Sequence, residues 1–263
     1  MGAIRNQFRW KKLKLQDDNA SDFYLSCWQR NRMAMPMLCI RLVLFAGCLG
    51  TLLSSMLLPE RIIYIAYWPL YLTQWGLLMN LITTGMATAV SAVAYFKGPI
   101  DATFGLPWYI RLFWGCYCIS VPVAFHITVF YYSFVMASMD EFEEYDLNPV
   151  LDVFTHGVNS IIMFLLLFTS NISVYFVQFL FPFALMVIYM VFTIIYYYAG
   201  GTNPFGDRFI YLALDWGEPI TATATVFISA GVVTSLYIVV VLMTVLRNLL
   251  SRKLKNDNLY IIS

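Results

Sequence analysis

The chain has 263 residues, of which 60% are apolar and only 12% charged, with a net charge of +1 and a mean hydropathy of +0.71. A soluble domain of this size keeps roughly a quarter of its residues charged to cover its surface. About half that proportion, with the apolar residues in long unbroken runs, excludes a water-soluble globule and makes lipid the implied solvent.

Residues 1–34 are polar and basic, with no cleavable signal peptide; Asn6 breaks the myristoylation pattern that Met1-Gly2 would begin. Within them, residues 4–15 mix Phe8, Trp10 and Leu13 with five basic side chains. They read either as a topology anchor or as a segment lying on an anionic inner leaflet. The five cysteines, Cys27, Cys39, Cys48, Cys116 and Cys118, are too scattered for a secreted disulfide framework and read as apolar filler. Cys27 and Cys39 lie near the first span, where position alone would allow palmitoylation.

A helix needs about 20 residues to cross the ~30 Å hydrocarbon layer. The first candidate runs from about Met37 to Leu58, with Arg41 placed to snorkel toward the headgroups. Between Arg61 and Lys97 lie 35 uncharged residues, read as an interfacial lead-in, Ile62 to Leu70, and a helix to about Phe96. A third span covers about Leu112 to Met139. Asp152 to Asp207 encloses 54 residues without Asp, Glu, Lys or Arg, enough for two helices joined at Ser170-Asn171. The last span runs from about Ile220 to Leu246. Unpaired backbone groups are not tolerated in lipid, and period-two alternation is absent, so these runs are helices and not barrel strands. The expected fold is all-α, a polytopic bundle of six transmembrane helices. The expected organisation is a basic segment at 1–34, the membrane domain at 35–246 and a basic tail at 247–263, without internal repeats.

Charge gives the direction. Arg5, Arg9, Lys11, Lys12, Lys14, Arg30 and Arg32 precede the first span, Arg247, Arg252, Lys253 and Lys255 follow the last, and Lys97 and Arg111 border the second connection. An even number of spans puts all of these on one side. Only Arg61 and Arg208 fall on the other, with Asp140, Glu141, Glu143, Glu144, Asp146, Asp152, Asp207, Asp215 and Glu218. Both termini are therefore expected in the cytosol. The acceptor patterns at Asn19 and Asn171 are then cytosolic and should stay unglycosylated.

Polar groups at membrane depth are costly and mark functional candidates. Both histidines, His126 and His156, lie in or beside spans, and no cluster of His, Cys, Asp or Glu supplies a metal site. The second helix opens with Tyr71-Leu-Thr-Gln-Trp-Gly76 and continues with Asn80, Thr83 and Thr84, a seam that could serve as interhelical glue. Thr73 lies roughly 8 Å below the surface marked by Trp68, and His156 roughly 6 Å below Asp152, from the 1.5 Å rise. If their helices are neighbours, a hydroxyl meets an imidazole, one form of activated nucleophile. Gly200-Gly201-Thr-Asn-Pro-Phe-Gly206 makes a tight loop, read as a turn or as the rim of a pocket with Asp215 and Trp216 at its far side.

These patches carry a resemblance. Tyr71–Gly76, Thr155-His-Gly-Val-Asn-Ser160, Tyr196-Tyr-Tyr-Ala-Gly-Gly-Thr-Asn-Pro204 and Ile210-Tyr-Leu-Ala-Leu-Asp-Trp216 resemble the rolling stone-like proteins of animals. The resemblance implies a role at the cell surface or in development, such as myoblast fusion. More distantly the chain is similar to the androgen-induced-gene family, six-span intramembrane hydrolases of fatty acid esters of hydroxy fatty acids. That similarity implies a threonine nucleophile at Thr73 and a histidine at His156, following Pro149 and Asp152. Gln74, Trp75, Asn159, Asp215 and Trp216, all within the rolling stone-like patches, are the candidate binding residues, and Gly157-Val158-Asn159 departs from the more distant family's pattern. The expected partners are membrane lipids, with a lipid ester as substrate; no metal, cofactor or nucleic acid is expected. A channel or transporter fits less well, because no carboxylate lines a span and no broken, repeated helices are evident.

Overall fold

The computed structural model describes residues 7–57, 65–135 and 149–257. Six helices in it are long and apolar enough to cross a membrane, and no strand occurs among the described residues. We label the helices α1 (Met35–Leu57), α2 (Leu72–Lys97), α3 (Trp108–Phe130), α4 (Asn159–Thr169), α5 (Leu180–Tyr198) and α6 (Pro219–Asp257). Helix α4 continues a short helix, Pro149–Val153, through a π-helical turn, Phe154–Val158; the three together give the fourth span its length.

Helix α3 is the axis of the bundle and touches α2, α4, α5 and α6. In its middle Tyr117, Cys118, Ser120, Val121, Val123 and Ala124 are all fully buried. The outer helices turn large apolar side chains outward, as Ile188, Val191 and Ile195 do on α5 and Phe227, Ile228 and Leu242 on α6. Such a belt would be a liability in water and is what a lipid-facing surface requires. Helices in lipid gain little from burying apolar side chains against each other, so small residues and hydrogen bonds carry the packing. Gly76 shows the first: a Cβ there would stand 2.3 Å from Ile127 Cδ1 on α3. Thr83 and Ser120 show the second, with hydroxyls 2.6 Å apart between α2 and α3.

The expected spans reappear with shifted ends. Helix α3 begins a turn early, at Trp108, and passes into a π-helical turn at Tyr131–Val135; residues 136–139 of the expected span lie outside the described residues. So do Leu58, Ile62 to Tyr64 of the interfacial lead-in, Arg61, and the acidic cluster from Asp140 to Asp146. The rest of the lead-in is a 3-10 helix, Ile65–Leu70. The Ser170-Asn171 turn is longer than two residues, running without regular structure to Tyr175 before a 3-10 turn, Phe176–Phe179. Helix α6 passes its expected end at Leu246 and continues roughly three further turns to Asp257. The apolar run marks where lipid would end, not where the helix does.

Arg41 is a correction. It does not snorkel to a surface but is wholly buried, donating to the carbonyls of Phe23 (2.7 Å) and Ala87 (3.0 Å) and to the hydroxyls of Ser91 (2.8 Å) and Ser170 (3.4 Å). Arg247 does the same on the other side of the break after α4, bonding Leu167 O (2.5 Å) and Ile172 O (2.8 Å). Leu167 lies in the last turn of α4, where the carbonyls carry the helix's negative partial charge and suit a guanidinium without a carboxylate.

The N-terminal segment covers Arg41. Phe23 sets its ring edge-on to Trp114 at 5.2 Å, Trp28 Nε1 donates to Phe168 O at 2.7 Å, and Gln178 donates to Lys12 O at 2.9 Å. Phe8 and Trp10 stay exposed. The end of the bundle holding this segment and the last turns of α6 is called the basic end below.

Candidate active site

The opposite end of the bundle brings Thr73 and His156 together. The 3-10 helix ends at Leu70, Tyr71 is extended (φ −90°, ψ 133°), and α2 starts at Leu72, so Thr73 sits at the second helical position. His156 lies in the π-helical turn before α4, an insertion that re-aims side chains and recurs at functional sites. Thr73 Oγ1 stands 3.2 Å from His156 Nε2.

The other imidazole nitrogen is also engaged. His156 Nδ1 lies 3.1 Å from Asp152 Oδ1, one turn earlier on the same helix. It also lies 3.0 Å from Thr155 Oγ1 and 3.1 Å from Asp152 O. Tyr131 donates its hydroxyl to Asp152 Oδ1 at 2.6 Å and stacks its ring on the imidazole, with centroids 3.5 Å apart and planes 8° from parallel. Thr128 bonds His156 O and the Ser160 hydroxyl from beneath. A proton on Nδ1, facing the carboxylate, leaves Nε2 as the acceptor for the Thr73 hydroxyl. Thr73 is 8% exposed, while the His156 and Asp152 side chains are each 14% exposed. The constellation is thus recessed but open. A groove of about 480 Å³ runs between α1 and the start of the fourth span, lined by Gly47 and Gly50 on one side and by Leu151 and Phe154 on the other; Thr73, Asp152 and His156 do not line it.

The remaining candidates divide. Asn159, one turn after His156, pairs with Asn80 in the core, and its Nδ2 and Asn80 Oδ1 have no partner among the described residues. Gln74 also has a buried oxygen without one. Trp75 leans the other way, donating to Pro69 O at 2.7 Å and setting its ring edge-on to Tyr189 of α5 at 5.3 Å. Asp215 accepts from Gly217 N at 2.8 Å, and Trp216 donates to Thr193 of α5 at 3.2 Å. Neither joins the Thr73–His156 pair. Their loop sends Tyr211 there instead, whose hydroxyl accepts the Leu72 N–H at 3.1 Å. The second histidine, His126, stands apart, with Nε2 3.1 Å from Ser229 Oγ. No group of three metal-ligating side chains occurs among the described residues.

Asp152 lies four residues before His156, the spacing that stacks side chains on one helical face, so its pairing with the imidazole was legible in the sequence. Tyr131 and Tyr211 offered no such signal, because both depend on how distant segments pack.

Fold and site together define an all-α integral membrane protein of six spanning helices with a threonine–histidine–aspartate constellation at one end. The family model described as "Protein rolling stone" matches residues 6–258, and the chain belongs to that family. It is 23% identical over 209 residues to "Protein rolling stone" of Drosophila melanogaster, a match covering 75% of this chain and 72% of that protein. No solved structure matches.

Proposed function

We propose that the chain is an intramembrane hydrolase of lipid esters, with Thr73 as nucleophile, His156 as general base and Asp152 orienting the imidazole. The observation that carries this is the 3.2 Å approach of Thr73 Oγ1 to His156 Nε2 with Asp152 on the opposite ring nitrogen.

The chemistry follows the usual acyl-transfer logic. As Thr73 Oγ1 attacks the acyl carbon, its proton passes to His156 Nε2, and the imidazolium is stabilised by Asp152. The tetrahedral intermediate collapses, the C–O bond to the alcohol breaks, and the proton on Nε2 goes to the departing oxygen. Water, deprotonated by His156, then attacks the acyl-threonine, freeing the fatty acid and restoring Thr73. The acyl chain is assigned to the groove lined by Leu151 and Phe154, which flank Asp152 in the sequence. The charge pattern supports a cytosolic basic end, which puts the constellation toward the outer leaflet.

The cell-surface or developmental role that the rolling stone likeness implies, such as myoblast fusion, is the biological setting we propose for this chemistry. The full chain, reconstituted in lipid and given long-chain acyl esters, should release fatty acid. Thr73→Ala and His156→Ala, folded and expressed to the same level, should each lose at least about 10³-fold in kcat. Absence of turnover in the folded wild type would remove the hydrolase reading.

A further inference from the structure

An acyl-transfer site needs more than a nucleophile and a base, because the attacked carbonyl oxygen becomes an alkoxide in a medium that solvates charge poorly. Donors aimed at that oxygen are commonly the largest single contribution to such catalysis. Resting on the hydrolase reading, we propose that the Tyr211 hydroxyl, brought to the start of α2 by the loop between α5 and α6, is the oxyanion donor of this reaction, with the Thr73 N–H as second donor.

The placement is specific. Tyr211 sits in the apolar cluster of Leu72, Val123, Ile127 and Tyr189 that closes the start of α2 against α3 and α5, with its ring edge-on to Tyr71 at 5.7 Å. Its oxygen takes the Leu72 N–H at 3.1 Å and neighbours both the backbone and the side chain of Thr73. The Thr73 N–H, at the second position of the helix, has no backbone acceptor among the described residues and is directed at the same phenol oxygen at rest. The start of α2 thus presents its positive end to the same point.

The proton inventory singles out Tyr211. Its phenol oxygen already accepts a backbone N–H, which polarises its own O–H and makes it a stronger donor. The nearby Tyr189 hydroxyl is committed to Leu70 O at 2.8 Å. Burial pushes the Tyr211 phenol up to about 12, so at neutral pH it keeps the proton it must donate. During attack the O–H swings to the developing alkoxide beside Thr73 Oγ1, and no proton need be transferred. When the intermediate collapses the bond relaxes to its resting partners.

The test uses the full chain in lipid, comparing wild type, Tyr211→Phe and Thr73→Ala on matched acyl esters and thionoesters, whose sulfur is a poor hydrogen-bond acceptor. Wild type should turn over the oxygen ester and discriminate against the thionoester. In Tyr211→Phe, kcat for the oxygen ester should fall roughly 10²–10³-fold with KM nearly unchanged, and the discrimination should fall with it. That ratio is read on active molecules only, so a partly misfolded preparation does not mimic the effect. Tyr211→Phe with wild-type kcat, or with lower kcat and intact discrimination, would overturn the role of Tyr211 while leaving Thr73 and His156 in place. A wild type that turns over neither ester would overturn the hydrolase reading and this inference with it.

Discussion

Asp152 decides whether His156 is a base or only a hydrogen-bonded side chain. A neutral imidazole can carry its proton on either nitrogen, and only the Nδ1–H form leaves Nε2 free to accept from Thr73. The carboxylate oxygen 3.1 Å from Nδ1 selects that form, and Tyr131 donates its hydroxyl to that same oxygen. Asp152→Asn keeps the shape but can present its amide N–H to Nδ1 and so favour the wrong tautomer. We expect kcat to fall roughly 10²–10⁴-fold, with unfolding temperature shifted by only a few degrees. Steady-state kinetics beside a thermal melt in the same lipid measures both; unchanged kcat would show that the carboxylate has no part in the chemistry.

At the scale of elements, the N-terminal segment closes the basic end through Asp22, which accepts from Asn171 (2.5 Å) across the break after α4 and from Asn19 (2.8 Å) within its own turn. Burial, and then the nearby Asp17, push the Asp22 carboxyl up to about 6. A carboxyl whose folded value is raised is favoured in its neutral form. Its contribution to stability is therefore full below about pH 4 and lost as pH rises through about 6. Docking of residues 7–34 should weaken across that window, and Asp22→Asn should flatten the dependence while stabilising the segment at pH 7 by about 1–2 kcal/mol after solvent screening. Limited proteolysis of the segment from pH 4 to 7 reads this directly; the same slope in both proteins would remove Asp22 as its cause.

Element boundaries also show what the sequence could carry. The spans were legible because lipid demands long apolar runs, and Thr73 and His156 because polar groups there stand out. The burial of Arg41 was not, since its acceptors at Phe23, Ala87, Ser91 and Ser170 come from three separate stretches of chain. The extension of α6 was hidden for a different reason: Arg247, and after it Arg252, Lys253 and Lys255, end an apolar run without ending a helix, because lysine and arginine are good helix formers.

For the whole molecule, the placement of polar groups is asymmetric. The basic end buries Arg41 and Arg247 against carbonyls under a folded cover, whereas the opposite end leaves a recessed, accessible constellation. If the basic end is cytosolic, a reporter fused after Ser263 should be shielded in intact cells and the constellation should face the outer leaflet. An externally accessible reporter would reverse the orientation without touching the chemistry.

The chemistry itself is tested most directly by mapping covalent capture. The full chain in lipid is treated with a lipid-like fluorophosphonate, digested and sequenced by mass spectrometry. A working nucleophile should yield a single adduct on Thr73, absent in His156→Ala and strongly reduced in Asp152→Asn. A folded wild type with no adduct, or a Thr73 adduct that persists at full yield in His156→Ala, would contradict an activated threonine at this site.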